Sequence, residues 1–330
     1  MQVYSFTSQK QAGLEDLKIH ESTIPSPKPN EVLIKVDSIG LNPVDYKLIE
    51  SPSPDFDYPH IFGLDAAGTV VSVGKDVTDF TVGKRVSGHN NLANNGVFAE
   101  YAVYPEYCLA KIPDKISFEQ AAAMLCGAMT AYQAIFRKMN LTGKKNVLIH
   151  AGAGGVGLIA IQLAKLMGLI VITTVSTSKT EFVKPFHPDK IIDYKKEDVT
   201  AEVMKYTKGV GVDLILNTVS GEAKADIEER LAYNGQLVWI NEAPESIDQN
   251  FLAQRGITIS ALNLGGAHRS NSYSQKRDLG VMAAELLNLV AQEKLNPCIT
   301  EILPFNQLVN GLEKLYHHDT VGKIVVKVSK

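Results

Sequence analysis

Cysteine is scarce in this sequence, which has only three among 330 residues: Cys108, Cys126 and Cys298. Three scattered cysteines cannot build a disulfide framework, and they fit a reducing compartment. The N-terminal residues lack the apolar core of a secretory signal, and no window reaches the roughly 18 consecutive apolar residues of a membrane span. We therefore expect a cytoplasmic protein that has no membrane partner.

An excess of positive charge is also absent, because 33 Lys and Arg stand against 36 Asp and Glu and give a net charge of −3. A protein whose main partner is nucleic acid or an anionic membrane normally carries a basic footprint. We therefore expect a small-molecule substrate and no nucleic-acid partner. The length of 330 residues exceeds the range in which a single core keeps growing, which predicts two domains.

The hydrophobic pattern of the sequence changes after its first third. That first third contains short valine-rich alternating runs, such as EVLIKVDSIGLN and AAGTVVSVG, which predict a small β-rich barrel or distorted sheet. An alanine-rich helical segment follows Ser117, and apolar runs then alternate with helical segments: NVLIH, IVITTV, VDLILN and GQLVWI. This alternation predicts βαβ units and a parallel sheet that is covered by helices on both faces.

A glycine cluster follows the predicted strand that ends at His150. Gly152, Gly154 and Gly157 form a G-x-G-x-x-G pattern at the start of a predicted helix, which is the context that a dinucleotide-binding fingerprint requires. In that fingerprint the first glycine permits the turn, the second lets the backbone approach a pyrophosphate, and the third lets the helix pack closely on the strand. The alternative is a purely structural turn. The predicted cofactor contacts in this loop are Gly152, Ala153, Gly154, Gly155, Val156 and Gly157.

The end of the next predicted strand indicates which dinucleotide binds. An NAD site usually has Asp or Glu about 20 residues after the glycines. Here the strand IVITTV is followed by Ser176 and, three residues later, by Lys179. Hydroxyl and ammonium groups favour a 2′-phosphate, so we expect NADPH with contacts from Ser176 and Lys179. The alternative for Lys179 is a solvated lysine at a helix start.

Several longer motifs resemble those of the medium-chain dehydrogenase/reductase superfamily, in its zinc-independent quinone oxidoreductase-like (zeta-crystallin-like) branch. They include GLNPVDYK (Gly40 to Lys47), GLDAAGTVVSVG (Gly63 to Gly74), GVFAEYAV, HAGAGGVGLIAIQLAK, IIDY and the closing GKIVVKV. The resemblance implies an α/β chain with a GroES-like β-rich catalytic domain and a doubly wound Rossmann domain. We assign residues 1–122 and 297–330 to the first domain and residues 123–296 to the second, NADPH-binding domain.

The resemblance also implies where zinc-dependent relatives hold their catalytic metal. They carry a Cys near the position of Asn42, a Gly-His-Glu where this chain has Gly63-Leu64-Asp65, and a Cys that matches Cys126. Only the last is present, and a catalytic zinc normally needs three protein ligands, so we expect no zinc. His60 and His89 are more typical of structural or solvated histidines.

Without a Lewis acid, reduction of a simple ketone is difficult, because negative charge develops on one oxygen. Hydride addition to a quinone or to a conjugated enone gives a delocalised anion that ordinary hydrogen-bond donors can stabilise. The sequence therefore predicts an NADPH-dependent, zinc-independent oxidoreductase that acts on quinones or α,β-unsaturated carbonyl compounds. Two alternatives remain: a zinc-type alcohol dehydrogenase with unusual ligands, and a non-catalytic, crystallin-like NADPH-binding protein.

By resemblance, Asn42 and Thr130 lie beside the nicotinamide, and Tyr46 and Lys47 are the candidate donors to the developing oxyanion, whereas Asp45 is structural. Further cofactor contacts are predicted at strand ends and in the closing motif, although strand-end residues also have plain capping roles. These are Tyr194, Asn217, Thr218, Ser220, Ile240, Asn241, Leu262, Asn263, Leu264, Gly322 and Lys323. The alternative for Tyr194 is an ordinary strand-end aromatic.

The run GITISALNLGG, residues 256–266, contains no charged residue. If it forms the last strand of the Rossmann sheet, it leaves an unprotected edge, which proteins usually cover or charge. Pairing of this edge across a two-fold axis would satisfy its backbone groups, so we expect a homodimer through the Rossmann edge strand. The alternative is that residues 265–273 cover the strand within one chain.

Overall fold

The computed structural model describes residues 1–244 and 247–328. Contacts divide the chain into two compact units, Met1–Met129 with Gly265–Lys330, and Thr130–Leu264. The strands are β1 Gln2–Phe6, β2 Lys18–Glu21, β3 Glu31–Gly40, β4 His60–Ile61, β5 Asp65–Val73, β6 Arg85–His89, β7 Tyr101–Pro105, β8 Leu109–Lys111, β9 Asn146–Ile149, β10 Ile170–Val175, β11 Lys190–Asp193, β12 Val212–Asn217, β13 Leu231–Trp239, β14 Thr258–Ala261, β15 Ile299–Pro304 and β16 Lys323–Lys327.

Helices occupy most of the connections between these strands. They are α1 Pro43–Glu50, α2 Phe118–Ala123, α3 Cys126–Gln133, α4 Gly155–Leu166, α5 Thr180–Val183, α6 Val199–Tyr206, α7 Ala223–Ala225, α8 Gln249–Arg255, α9 Tyr273–Ala291 and α10 Leu308–Tyr316. In the part of the chain that the structure describes, none of them is both long enough and apolar enough to cross a membrane. The compartment stays a prediction.

The first unit is rich in antiparallel sheet. Its larger sheet has the order β15-β16-β3-β5-β6-β8, with β7 paired to β3, and a second sheet has the order β2-β1-β4. All of these pairs are antiparallel except β15 with β16. The β-rich character that the valine-rich runs predicted is therefore confirmed. Pairing of β16 with β3 brings Val325 opposite Gly40, so the last strand lies beside the start of α1.

The second unit contains a six-stranded parallel sheet of order β11-β10-β9-β12-β13-β14. Counted along this unit, the order is 3-2-1-4-5-6, which is that of a doubly wound dinucleotide-binding fold. Its apolar runs form the central strands, where Val147, Leu148 and Ile149 are fully buried. The GroES-like and Rossmann-like fold class is confirmed, and the sheet places the ends of β9, β10 and β12 at one edge.

Helix α9 belongs by its contacts to the first unit, whereas the predicted domain ranges placed residues 265–296 in the Rossmann domain. The helix packs against β8 and the turn Glu106–Cys108. Arg277 on this helix donates to the carbonyls of Tyr107 and Leu109, each at 3.3 Å. The contact division thus ends the second unit at Leu264. The contact division differs in kind from the predicted boundaries of the GroES-like and Rossmann domains, and those boundaries stay a prediction.

Candidate active site

A buried carboxylate organises the polar cluster of the first unit. Oδ2 of Asp65, at the start of β5, accepts hydrogen bonds from Nδ2 of Asn42 at 2.8 Å and from the backbone N–H of Cys126 at 2.9 Å. Its Oδ1 lies 3.0 Å from Nδ1 of His89. The ammonium of Lys323 lies 3.5 Å from Oδ2. Asp65 itself is completely buried, so these partners take the place of the water molecules that would hydrate an exposed carboxylate.

The partners decide the charge of Asp65. Burial alone would raise the pKa of this carboxyl, but the hydrogen bond with His89, the Lys323 ammonium and the Asn42 amide together hold its pKa below the ordinary value. The side chain of Asp65 is therefore a carboxylate near neutral pH.

The side-chain amide of Asn42 bonds to both Asp65 and Lys323. Its Nδ2 also donates to the carbonyl of Gly40 at 3.1 Å, and its Oδ1 accepts from Nζ of Lys323 at 2.6 Å. Both amide hydrogens are thus used within the protein, which leaves only a lone pair on Oδ1 for a ligand. The predicted role of Asn42 beside a nicotinamide stays a prediction, and these bonds restrict it to accepting a hydrogen bond.

The start of α1 explains why Asn42 is held in place. Asn42 is the N-cap residue, Pro43 supplies the preset φ of the first helical position, and Oδ2 of Asp45 accepts from the N–H of Asn42 at 2.7 Å. Tyr46 on this helix is buried with its ring edge-on to Tyr316 at 5.5 Å, and burial raises the pKa of its hydroxyl. Lys47 is exposed. Proton donation by either residue stays a prediction.

Asp45 is a buried acid whose second oxygen, Oδ1, has no hydrogen-bond partner among the described residues. Burial, and then the negative charge of Asp65, raise the pKa of Asp45 to about 8. Asp45 is therefore largely neutral at pH 7. In this state it still caps the helix, and it holds a proton beside Asp65, Asn42 and Lys323.

Replacing Asp45 by Asn should flatten the pH dependence of stability. In the unfolded chain an aspartate titrates near pH ~4, so between about pH 4 and 8 the folded protein holds a proton that the unfolded chain has lost. The free energy of unfolding of the wild type therefore falls as pH rises through this window. Urea unfolding at several pH values should show a smaller fall for Asp45→Asn. The same change at exposed Asp114 should leave the slope unchanged; equal slopes for all three proteins would contradict the prediction.

His89, which the sequence predicts to be a structural or solvated histidine, pairs with Asp65. Asp65 and His89 stand directly opposite each other in the β5–β6 pair, a relation that a hairpin register could have indicated. Nε2 of His89 and Nε2 of His268 are both buried without a partner in the described chain. The two rings lie 5.7 Å apart, and Nδ1 of His268 lies 3.0 Å from the hydroxyl of Tyr107. Burial lowers the pKa of His268 to about 3, so it is neutral.

One group of three side chains in the described residues offers ligand atoms for a metal: Asp65, His89 and Cys126, with those atoms within 4.8 Å of one another. An oxygen, a nitrogen and a sulfur are a suitable number and type for a catalytic zinc. Two features of the group do not fit. The oxygens of Asp65 are already engaged by four partners, one of which is an ammonium. Burial and the charge of Asp65 also raise the pKa of the Cys126 thiol well above its usual value, so the residues present do not form a ready zinc site.

The glycine loop of the second unit begins after β9, and α4 starts at Gly155 with Gly154 as its N-cap. A Cβ on Gly152 would collide with the side chain of Thr173, and one on Gly157 would collide with the carbonyl of Ala151. A Cβ on Gly154 would have a single neighbour, the same carbonyl at 3.4 Å. Two of the glycines are thus required by packing, whereas Gly154 faces open space beside the N–H groups that begin the helix, a suitable position for an anion.

The end of β10 carries Ser176 and then a short turn, Thr177–Lys179. The hydroxyl of Thr177 donates to Oδ2 of Asp193 at 2.6 Å, and Asp193 ends the neighbouring strand β11 opposite Val175. This carboxylate comes from the end of β11, whereas the spacing after the glycines points only to the end of β10. Lys196 lies 3.7 Å from it. The carboxylate of Asp193 therefore lies at the end of β10, where the sequence predicts only Ser176 and Lys179.

The strand ends of the second unit are joined by a buried network around Asp226, which the sequence analysis missed. The Asp226 carboxylate lies 2.9 Å from Nε2 of His150 and accepts from Nδ2 of Asn217 at 2.7 Å and from Arg230 at 2.9 Å. Burial would raise the pKa of Asp226, but His150 and Arg230 hold it below its usual value. The hydroxyl of Thr218 donates to the carbonyl of His150 at 3.0 Å. The network therefore fixes the carboxyl ends of β9 and β12 together.

The predicted cofactor residues of the second unit differ in their surroundings. Asn217 is buried, and its side-chain amide donates to Asp226 and accepts from the N–H of Val219. Its predicted contact with a cofactor stays a prediction. Tyr194 is 48% exposed, with Nζ of Lys195 at 5.3 Å from its ring centre. Of the remaining residues, Thr130, Leu262 and Leu264 are buried, Ile240 is partly buried, and Ser220, Asn241 and Asn263 are exposed. Their contacts with a cofactor stay predictions.

The predicted residues of the first unit are brought together by hydrogen bonds at one place. Asn42 and Lys323 bond directly, although they are far apart in sequence. Gly322, which precedes β16, has a φ of 61°, and a Cβ there would collide with the carbonyl of Cys298. This glycine therefore allows the approach that places Lys323 against Asn42.

Comparison with known proteins adds family matches to this geometry. Residues 28–114 match the alcohol dehydrogenase GroES-like domain, and residues 155–279 match the zinc-binding dehydrogenase model. A chloroplast envelope quinone oxidoreductase homolog of Arabidopsis thaliana is 32% identical over 96% of this chain and 94% of its own length. A trans-enoyl reductase of Pyricularia grisea is 29% identical over 92% of this chain and 88% of its own length. The crystal structure of Escherichia coli quinone oxidoreductase complexed with NADPH has a TM-score of 0.87 and 25% identity, over 99% of this chain and 100% of that one.

Proposed function

Because this chain belongs to the medium-chain dehydrogenase/reductase superfamily, in its quinone oxidoreductase-like branch, we propose that it is an NADPH-dependent, zinc-independent oxidoreductase that reduces quinones or α,β-unsaturated carbonyl compounds. The observation that carries the proposal is the glycine loop, with open space at Gly154 beside the first turn of α4 at the strand-end edge of the sheet. Bound NADPH would supply the hydride for such a reduction.

Two further observations support NADPH as the nucleotide. The Escherichia coli quinone oxidoreductase that shares this fold was solved with NADPH. In this chain Lys179 lies in the turn after β10, where it can offer an ammonium to a 2′-phosphate. The carboxylate of Asp193 nearby is bonded to Thr177 and faced by Lys196, which reduces its repulsion of such a phosphate.

The side chains of the first unit support the substrate class. The Lys47 ammonium and the hydroxyl of Tyr46, the donors that the sequence predicts, can stabilise a delocalised enolate or phenolate, but neither is a Lewis acid. A relative named as a trans-enoyl reductase and another named as a quinone oxidoreductase homolog agree with this class of acceptor. For an enone, hydride adds to the β-carbon and a proton then adds to the α-carbon, which leaves the saturated ketone.

The proposal is tested by a screen of NADPH oxidation with a quinone, a conjugated enone, a conjugated aldehyde and a simple ketone. We expect turnover of at least one of the first three and none with the simple ketone. Activity confined to the simple ketone would contradict the proposal. NADPH binding with no turnover of any acceptor would instead support the non-catalytic alternative.

Replacing Lys179 by Glu should weaken NADPH binding far more than NADH binding. A charge-assisted bond to phosphate contributes about 1.5–3 kcal/mol, equivalent to a loss of roughly 10- to 100-fold in affinity, and the introduced carboxylate adds repulsion. Titration calorimetry with both nucleotides measures the difference. Lys10→Glu, an exposed lysine of the first unit, makes the same change in net charge and should alter neither affinity. Equal losses for both nucleotides in Lys179→Glu would show that Lys179 does not recognise the phosphate.

We propose also that the protein is a homodimer joined through β14, which ends the six-stranded sheet. Leu262 donates its N–H to the carbonyl of Trp239, so by alternation Ile259 and Ala261 direct their N–H groups away from β13. Pairing with a second copy would satisfy these groups. Light scattering at micromolar concentration should give twice the mass of the chain, and a monomer would rule the dimer out.

A further inference from the structure

The Lys323 ammonium lies beside Asp65, which belongs to the one group of potential metal ligands found among the described residues. Its Nζ donates to Oδ1 of Asn42 at 2.6 Å and lies 3.5 Å from Oδ2 of Asp65, and its side chain is 6% exposed. The same carboxylate provides the oxygen of the Asp65–His89–Cys126 group. The Asp65 carboxylate is thus both the partner of the Lys323 ammonium and one of the three side chains that could bind a metal ion.

The backbone fixes the ammonium in this position. Lys323 opens β16, its N–H donates to the carbonyl of Cys298 at 2.9 Å, and the strand continues in register with β3. A Cβ on Gly40 would meet Cε of Lys323 at 3.1 Å, so the lysine stem runs closely over the backbone there. Held at both ends, the side chain has little freedom to move away from Asp65.

A divalent ion on Asp65 would have to coexist with this ammonium. A zinc–oxygen bond is about 2 Å long, so an ion bound to Oδ2 would lie within roughly 5.5 Å of Nζ. Repulsion between a dication and a buried ammonium at that separation is poorly screened. The ammonium also already supplies the positive charge that a buried carboxylate requires.

From these contacts we propose that Lys323 takes the place of a divalent cation in the Asp65–His89–Cys126 group and thereby keeps metal out of it. The group is then a latent metal site that is closed by an internal cation. The inference concerns metal exclusion and does not depend on the substrate or nucleotide of the proposed function, so the two can fail separately.

The test is cobalt binding to Lys323→Met, which removes the charge and keeps the approximate length of the side chain. Co²⁺ bound to a cysteine thiolate gives a charge-transfer band in the near ultraviolet, which reports on Cys126 without any enzymatic assay. We expect one Co²⁺ per chain, bound at least about 100-fold more tightly than to the wild type. The Co²⁺-loaded variant should also melt at a higher temperature than its metal-free form.

Three matched variants sharpen the result. Lys327→Met removes a lysine from the same strand that pairs with Asp37 and Glu119, and should bind cobalt no better than the wild type. Lys323→Arg keeps the charge and should still exclude cobalt. Adding Cys126→Ser to Lys323→Met should abolish the charge-transfer band.

Two results would overturn the proposal. One is a wild type that binds Co²⁺ as tightly as Lys323→Met does and shows the same thiolate charge-transfer band. The other is the absence of cobalt binding in a folded Lys323→Met or Lys323→Gln protein, with folding checked by circular dichroism.

Discussion

Gly154→Val should abolish dinucleotide binding and leave the protein folded. A Cβ at this position would have one neighbour within 4 Å, the carbonyl of Ala151 at 3.4 Å, so we expect the substitution to leave the packing of α4 intact. It would instead occupy the volume that a pyrophosphate needs at the N-terminus of the helix. We expect NADPH affinity to fall by at least about 100-fold, because the new side chain and the pyrophosphate cannot occupy the same volume. Titration calorimetry measures the affinity, and thermal melting measures the fold.

The neighbouring glycines provide a contrast within the same loop. Gly152→Val would drive a side chain into Thr173, and Gly157→Val would drive one into the backbone of Ala151, so both should lower the melting temperature sharply. Ala201→Val, on the exposed surface of α6, adds the same kind of side chain and should change neither property. Unchanged NADPH affinity in a folded Gly154→Val protein would refute the assignment of the loop.

The glycine loop was predictable from sequence because its determinants are local. A strand, three glycines and a helix start lie within about 20 consecutive residues, and each obeys rules of backbone geometry that need no distant partner. The same holds for the parallel sheet, since its apolar runs recur along one continuous stretch.

The charged cluster of the first unit could not be predicted in the same way. Asp65, His89 and Lys323 come from three strands, and their contacts depend on the β5–β6 register and on the pairing of β16 with β3. Sequence reasoning assigned roles to Asn42 and Lys323 singly, by resemblance. It gave no sign that the two bond to each other, because buried polar pairing is a property of the packed structure.

At the edge of the second unit where β10 and β11 end, prediction from the sequence is limited in a similar way. Spacing along the chain directs attention to the residue at the end of β10, but the carboxylate of Asp193 reaches the same place from the end of β11. Parallel neighbours end side by side at one edge of the sheet, so a residue there has two possible origins in sequence. Predictions of cofactor preference from the second strand alone therefore omit one of the charges that matter.

Asp226→Asn should strongly destabilise the protein. The substitution removes the buried charge that faces the Arg230 guanidinium, whose side chain is only 6% exposed and whose other carboxylate partner, Glu222, is 39% exposed. It also disturbs the bonds from His150 and Asn217. Loss of one partner from a buried ion pair typically costs about 3–5 kcal/mol. Urea unfolding monitored by circular dichroism measures the change in the free energy of unfolding.

A matched control variant and the pH dependence distinguish the loss of the buried Asp226 charge from the loss of a carboxylate at the surface. Asp189→Asn alters a carboxylate that pairs with Lys165 at about one-third exposure, and it should cost less than about 1 kcal/mol. Because the pKa of Asp226 is lowered in the folded protein, its contribution is present above the unfolded value near pH ~4 and is lost as pH falls through the lower folded value. The difference between wild type and Asp226→Asn should therefore narrow below about pH 4. A difference that stays constant down to pH ~2, or a cost no larger than that of Asp189→Asn, would show that the buried charge of Asp226 does not hold these strand ends together.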